Sequence, residues 1–262
     1  MRRNRIEAVI LRHLYEIRHN ANHLINMVYW PVVNIVVWGF FTTYLFGRDG
    51  LQPGIITDLL GAVILWGFFN GFQRDMAQGF LEEFWSRNIV NLFASPLSVM
   101  DYAVGLISVN LIKALIGLTA ESLIALVCYR FNIFPVLISF LPFIANLMFF
   151  GLAIGVVVTG LIFRYTTKLQ VLAWSFAGLL MPFSCVFYPL KALPAFLRPL
   201  ALILPTTHSF EGMRHVLAGE GFSIADFVWG LALDLIYLIL AVLIFRKMLE
   251  SARSRGLLVK ME

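Results

Sequence analysis

The sequence predicts an all-α membrane protein with six transmembrane helices. Three observations point there. Sixty per cent of the 262 residues are hydrophobic and only 13% are charged. The mean hydropathy is +0.84. Lysine and arginine gather at the ends of the apolar stretches rather than on them. Soluble domains carry about 25% charged residues. A chain this apolar needs a bilayer to solvate part of its surface.

The first element is an amphipathic helix within the N-terminal region 1–26. Ile6, Ile10, Leu14, Ile17, Ala21 and Leu24 recur at steps of three and four, with Arg12, Glu16, Arg18 and His19 on the other faces. Such a helix suits the cytoplasmic membrane surface. The basic start leads into this pattern and not into a short apolar core, so it does not read as a cleavable signal.

The first span is expected over 27–46, with Tyr29, Trp30 and Tyr44 as interfacial aromatics. Twenty residues cover about 30 Å, one hydrocarbon thickness. The second span is expected over 55–72. The connection 73–96 then mixes Arg74, Asp75, Glu82, Glu83 and Arg87 with Phe80, Leu81, Phe84 and Trp85. Charge at that density cannot lie in lipid, so it reads as an amphipathic helix outside the bilayer. Ser98 with Asp101 forms a capping signal after Pro96, which starts a new helix near Val99.

The third span is expected over 99–128, the fourth over 136–163, the fifth over 169–188 and the sixth over 224–245. A basic tail, 246–262, closes the chain. Between spans five and six, Pro189, Pro194, Pro199 and Pro205 cut an apolar stretch into pieces too short to cross. Irregular backbone at membrane depth needs shielding, so 189–218 reads as a re-entrant pair of short helices followed by a helix over 206–218.

With both termini in the cytoplasm, fourteen of the twenty Lys and Arg residues fall on that side and five outside, with Lys113 inside the membrane. This asymmetry sets the orientation in a bacterial-type inner membrane. The net charge of +5 is then a topology signal and not a nucleic-acid patch.

No P-loop, nucleophile elbow or zinc helix occurs in the sequence. His208, Ser209 and Glu211 crowd one helix start, where they suit backbone capping better than a catalytic triad. Cys128 and Cys185 both lie in apolar segments, without the spacing of a metal site. No cofactor and no catalytic residue is therefore expected on this chain.

The polar residues inside the spans are the candidate site. Asn110, Lys113, Gly117 and Glu121 share one face of span three, and Asp234 lies within span six. Buried charges are costly unless paired or hydrated. The stripe either lines a polar path or fixes packing, with Lys113 pairing with Asp234 or Glu121. Gly151-x-x-x-Gly155 allows a close helix approach in span four. Trp38, Phe40, Phe41 and Tyr44 either line a path or face lipid.

Two stretches carry a resemblance. One is Glu82-Glu83-Phe84-Trp85-Ser86-Arg87, leading to Pro96-Leu97-Ser98. The other is Phe187-Tyr188-Pro189-Leu190-Lys191, continuing to Pro205-Thr206-Thr207-His208-Ser209-Phe210-Glu211-Gly212-Met213-Arg214. In this order they resemble the type-2 ABC transporter permeases, which include the polysaccharide, nodulation-factor and daunorubicin-resistance export permeases. Cys185 departs from the pattern, where a small residue, often glycine, is expected.

The resemblance implies an ATP-driven exporter of an amphiphilic or lipid-linked substrate (glycan, glycolipid or hydrophobic drug). It implies a homodimer of this chain with two copies of a separate ATP-binding cassette subunit, which would bind the ATP and Mg. The cytoplasmic helix around Phe80, Glu82, Glu83, Phe84, Trp85 and Arg87 would be the coupling helix, its aromatics anchored in the ATPase and its charges setting register. The alternative is a secondary transporter or channel not coupled to ATP.

Overall fold

The computed structural model describes residues 2–46, 53–86, 88, 91 and 94–254. Every regular element among them is helical. The helices are α1 (Arg2–His19), α2 (Ala21–Phe46), α3 (Pro53–Trp85), α4 (Val99–Tyr129), α5 (Leu137–Tyr165), α6 (Leu172–Leu180), α7 (Arg198–Leu202), α8 (Pro205–Leu217) and α9 (Ile224–Ser254). Among the described residues, four stretches are long and apolar enough to cross a membrane: Met27–Tyr44, Val99–Tyr129, Phe134–Tyr165 and Ile224–Ser254.

The centre of the bundle is α3. Its buried residues run from Leu60 through Phe69 and Met76 to Phe84 and point in every direction, as they must in a helix enclosed by others. On one side it meets α5, where the glycine pair does its work. A Cβ added at Gly155 would lie 2.8 Å from Met76 Cβ, and one at Gly151 would lie 3.3 Å from the Phe69 carbonyl oxygen. The opposite side of α5 packs on α9, with Phe150 edge-on to Tyr237 at 5.1 Å.

The charged connection differs from the sequence expectation. It is not a separate helix over 73–96, because α3 continues without a break for 33 residues to Trp85. No proline interrupts it, and its polar groups find partners along the bundle: Arg74 on Asp75, Gln78 on Glu82, and Glu83 inward. In the following stretch, positions 87, 89, 90, 92 and 93 lie outside the described residues, Arg87 among them, as do 47–52 of the first loop and the tail beyond 254.

The stretch expected as a fifth span, 169–188, also differs. Only Leu172–Leu180 is α-helical, followed by a 3-10 turn at Met181–Phe183 where Pro182 ends the regular ladder. Nine α-helical residues reach about 14 Å, half a hydrocarbon thickness. Between α6 and α8 the chain nevertheless runs from the end of α3 near Trp85 to the end near Gly61. Trp174 stacks on Trp85 at 6.1 Å, beside the end where Phe84, Phe163 and Phe245 meet. By Leu217 the chain faces Gly61 at the opposite end, where Phe143 meets Phe222.

Segment 184–205 is held by specific polar contacts. Arg214 donates to the carbonyls of Cys185 (2.5 Å) and Val186 (2.8 Å), while Glu211 accepts from the Leu190 amide at 3.0 Å. Cys185 adopts φ 52°, the left-handed region that favours glycine. The expectation of a glycine-like position there is met in backbone conformation, and the thiol fills a small buried cluster with Leu193 and Ala201.

Candidate functional site

Two constellations stand out: a cavity among α2, α3 and α4, and a charged junction of α1, α3 and α4. The cavity forms where small residues replace bulk on the facing helices. Gly67 and Gly71 of α3 and Gly117 of α4 leave about 460 Å³ open. Its walls are largely aromatic and aliphatic, with Trp30, Trp38 and Trp66 prominent, and Phe187 closes one side by stacking on Trp38 at 4.4 Å.

The polar groups of the cavity lie at different depths. Lys113 Nζ is 3.9 Å from Asp75 Oδ2, and Arg74 Nε is 3.3 Å from Asp75 Oδ1. Two cations thus share one carboxylate. Two turns further along α4, about 12 Å away, Glu121 lines the same space. Its side chain packs against Gly67, where a Cβ would lie 2.7 Å from Glu121 Oε1. Glu121 is 2% exposed, and Oε1 has no hydrogen-bond partner among the described residues.

Of the four intramembrane polar residues singled out in the sequence, Lys113 and Glu121 meet at this cavity. Asn110 is buried one turn away without lining it, and its Nδ2 is unpartnered among the described residues. Asp234 sits fully buried on α9, which contributes nothing to the cavity walls. The expected partner of Lys113 is therefore corrected: it is Asp75, neither Asp234 nor Glu121. Asp75 escaped the sequence reading because its stretch was placed outside the bilayer. The signal was the spacing Gly67, Gly71, Asp75, which continues one face of α3.

The junction is built on Glu83, which is 1% exposed. Its Oε1 lies 2.8 Å from Arg12 Nη2 and accepts from the Tyr102 hydroxyl at 3.0 Å. Its Oε2 accepts from Asn88 Nδ2 at 2.6 Å. The Tyr102 hydroxyl also lies 3.4 Å from His13 Nε2, and His13 Nδ1 is 3.1 Å from Glu16. Burial holds the His13 imidazole below the ordinary histidine range, against the pull of Glu16. Burial likewise pushes the Glu82 carboxyl up, against the nearby His23.

Here too the geometry sorts the residues chosen from sequence. Phe80 packs edge-on to Tyr102 at 5.1 Å and to Phe163 at 5.6 Å, and Phe84 lies 5.1 Å from Phe163. Both are core residues of this chain. Glu83 is turned inward, Glu82 is half-buried, and Trp85 is 49% exposed. Trp85 donates from its indole to Gln170 at 3.3 Å, joining the end of α3 to the segment before α6.

The sequence profile described as ABC-2 type transporter matches residues 16–218. The chain belongs to the ABC-2 type transporter family. The match runs from the end of α1 to the loop after α8, so it takes in the whole cavity and, of the junction, Glu16, Glu83, Asn88 and Tyr102 but not Arg12 and His13. No curated protein sequence matches the chain. As a member of this family it is a multi-pass membrane protein and the permease part of an ABC transporter, a role that implies an ATP-binding cassette subunit as partner.

Proposed function

We propose that this ABC-2 permease is the membrane subunit of an ATP-driven exporter, moving an amphiphilic or lipid-linked molecule out of the cytoplasm or inner leaflet. The observation that carries the proposal is the cavity: a mostly apolar, tryptophan-walled space with charged groups at fixed depths, inside an ABC transporter membrane domain. An apolar tail finds solvation in such walls and a polar head finds partners at Lys113, Asp75 and Glu121.

In this reading the chain crosses the inner membrane six times. The helices α2, α3, α4, α5 and α9 each cross once, and α6 with the irregular stretch after it crosses once more, shielded by α3 and α8. Segment 189–218 is then a re-entrant element on the outer side, and both termini are cytoplasmic, as the lysine and arginine count favours. Two copies assemble with two copies of a separate ATPase subunit, which holds the ATP and Mg.

Coupling enters at the α3 terminus. Trp85, stacked on Trp174 and exposed, is the anchor offered to the ATPase, with Glu82 and Arg87 as flanking charges. Phe80, Glu83 and Phe84 act one layer behind, transmitting movement of that end to α1 and α4. Buried charge on α3 and α4 would also suit an ion-coupled carrier, and energy dependence separates the two. The complex reconstituted in liposomes should move a fluorescent amphiphile only with hydrolysable ATP, and Trp85→Ala should leave insertion intact while cutting transport. Movement by the permease alone, driven by an ion gradient, would reverse the conclusion.

A further inference from the structure

The cavity carries one buried acid, Glu121, with no counter-charge among the described residues. Glu121 is almost fully enclosed, its Oε1 is unpartnered among the described residues, and it lines open space. The cations of the same cavity are engaged elsewhere. Lys113 and Arg74 both face Asp75, and Lys113 is about 12 Å along α4 from Glu121, beyond the reach of its side chain. A buried carboxylate without a counter-charge costs several kcal/mol in such surroundings. Gly67 makes room for this carboxylate at the edge of the cavity, since a side chain there would collide with it.

The walls supply the second half of the argument. Trp66 lies beside Gly67, and Trp38 faces the same space from α2. Trp66 is 5% exposed and Trp38 stacks on Phe187, so the indoles act here as apolar walls, and the carboxylate is the group that attracts an organic cation. A volume of about 460 Å³ also falls in the range of small-molecule sites. At the other end, two cations over one carboxylate repel a positive group, so a cation entering the cavity is directed to Glu121.

We propose that this cavity binds an amphiphile through an organic ammonium group, with Glu121 as counter-ion and Trp38 and Trp66 as walls. The proposal rests on the reading of the cavity as a cargo site and narrows its cargo to a chemical class.

The test is direct binding to the full-length chain in uncharged maltoside micelles, read by tryptophan fluorescence, without ATP or the ATPase. The probes are dodecyltrimethylammonium, dodecanol and dodecyl phosphate. The ammonium should bind about tenfold or more tighter than dodecanol, a gap within reach of a charge pair. Glu121→Gln, which keeps side-chain size, should erase that gap, and Asp234→Asn, at a buried acid on α9 outside the cavity, should preserve it. Equal binding of ammonium and alcohol by the unmutated chain overturns the proposal, and this comparison does not depend on any variant folding. Tightest binding of dodecyl phosphate, lost in Lys113→Met, overturns it in favour of an anionic head group. Because no nucleotide is involved, either result leaves ATP-driven transport standing, and a failure of that transport leaves the binding preference measurable.

Discussion

Arg12 and Glu83 form an ion pair of 2.8 Å that ties α1 to the C-terminal end of α3. The two residues differ in environment: Glu83 is enclosed, whereas Arg12 keeps 40% of its side chain exposed. The carboxylate is the member that depends on the pair. Tyr102 and Asn88 complete its shell, so the second half of α1, the start of α4 and the end of α3 are tied together.

Removing the arginine should therefore loosen this end without unfolding the bundle. Arg12→Ala leaves Glu83 two hydrogen bonds but no counter-charge, and we expect a cost of about 1–3 kcal/mol. Glu83→Gln should cost less, because the buried charge goes with it. The double variant should be less destabilised than the sum of the two. Thermal unfolding of the detergent-solubilised permease measures all three. Strict additivity would show that the pair does not couple the helices.

This arrangement also shows how far the sequence could be read. A helix near the N-terminus and the Ser98 cap were legible because they are local: the Ser98 hydroxyl accepts the Asp101 amide at 3.1 Å, and α4 begins at Val99, although α1 ends at His19 and the residues it buries are Val9 and His13. The glycine pair in α5 was legible for the same reason. The inward turn of Phe80, Glu83 and Phe84 was not. Charge density marks a stretch as outside lipid, but it does not say whether the helix faces water or another helix. The spacing Gly67, Gly71, Asp75 marks one face of α3, but the pairing of Asp75 with Lys113 needed the fold of α3 on α4.

Acid should weaken the same junction through His13. Its imidazole is held neutral by burial, so its folded pKa lies below the unfolded value of about 6.5. The unfolded chain then binds the extra proton first, and stability falls as pH drops from about 6.5 through the lowered value. Above that range the contribution is fully present. Glu82, whose carboxyl is raised by burial, works in the opposite sense as pH rises above the ordinary carboxylate range. The difference between the unmutated protein and His13→Gln isolates the histidine. Melting temperatures from pH 7.5 to 5 should converge as acid removes the advantage of the unmutated chain. Parallel curves would exclude His13.

The glycine contact between α3 and α5 should tolerate no side chain. At Gly155 even a Cβ lies 2.8 Å from Met76 Cβ and 3.1 Å from the Gln73 carbonyl oxygen, a backbone atom that cannot swing aside. Gly155→Val should cost about 1–3 kcal/mol or more by overpacking and shift α5 with α9 attached. Gly178, which has open space around it, serves as control, and Gly178→Ala should leave the melting temperature nearly unchanged. Size-exclusion profiles and thermal melts of the two variants give the comparison.

Cys185 offers the last test, because two effects compete at one position. Its φ of 52° costs a non-glycine residue about 1 kcal/mol, and glycine would remove that strain. Glycine also gives up the buried thiol beside Leu193 and Ala201, and it adds freedom to the unfolded chain by about 0.5–1 kcal/mol. These terms nearly cancel, so Cys185→Gly should melt close to the unmutated protein. Cys185→Val keeps the bulk but adds a β-branch in the left-handed region, and should be destabilised by about 2 kcal/mol. Since Arg214 donates to the Cys185 carbonyl, that loss should spread to α8 and show as faster amide exchange over Pro205–Leu217. If valine were tolerated as well as glycine, the backbone at this bend would not be held in the left-handed form, and the anchoring of α8 through Arg214 would have to be reassigned to Glu211 and the Leu190 amide.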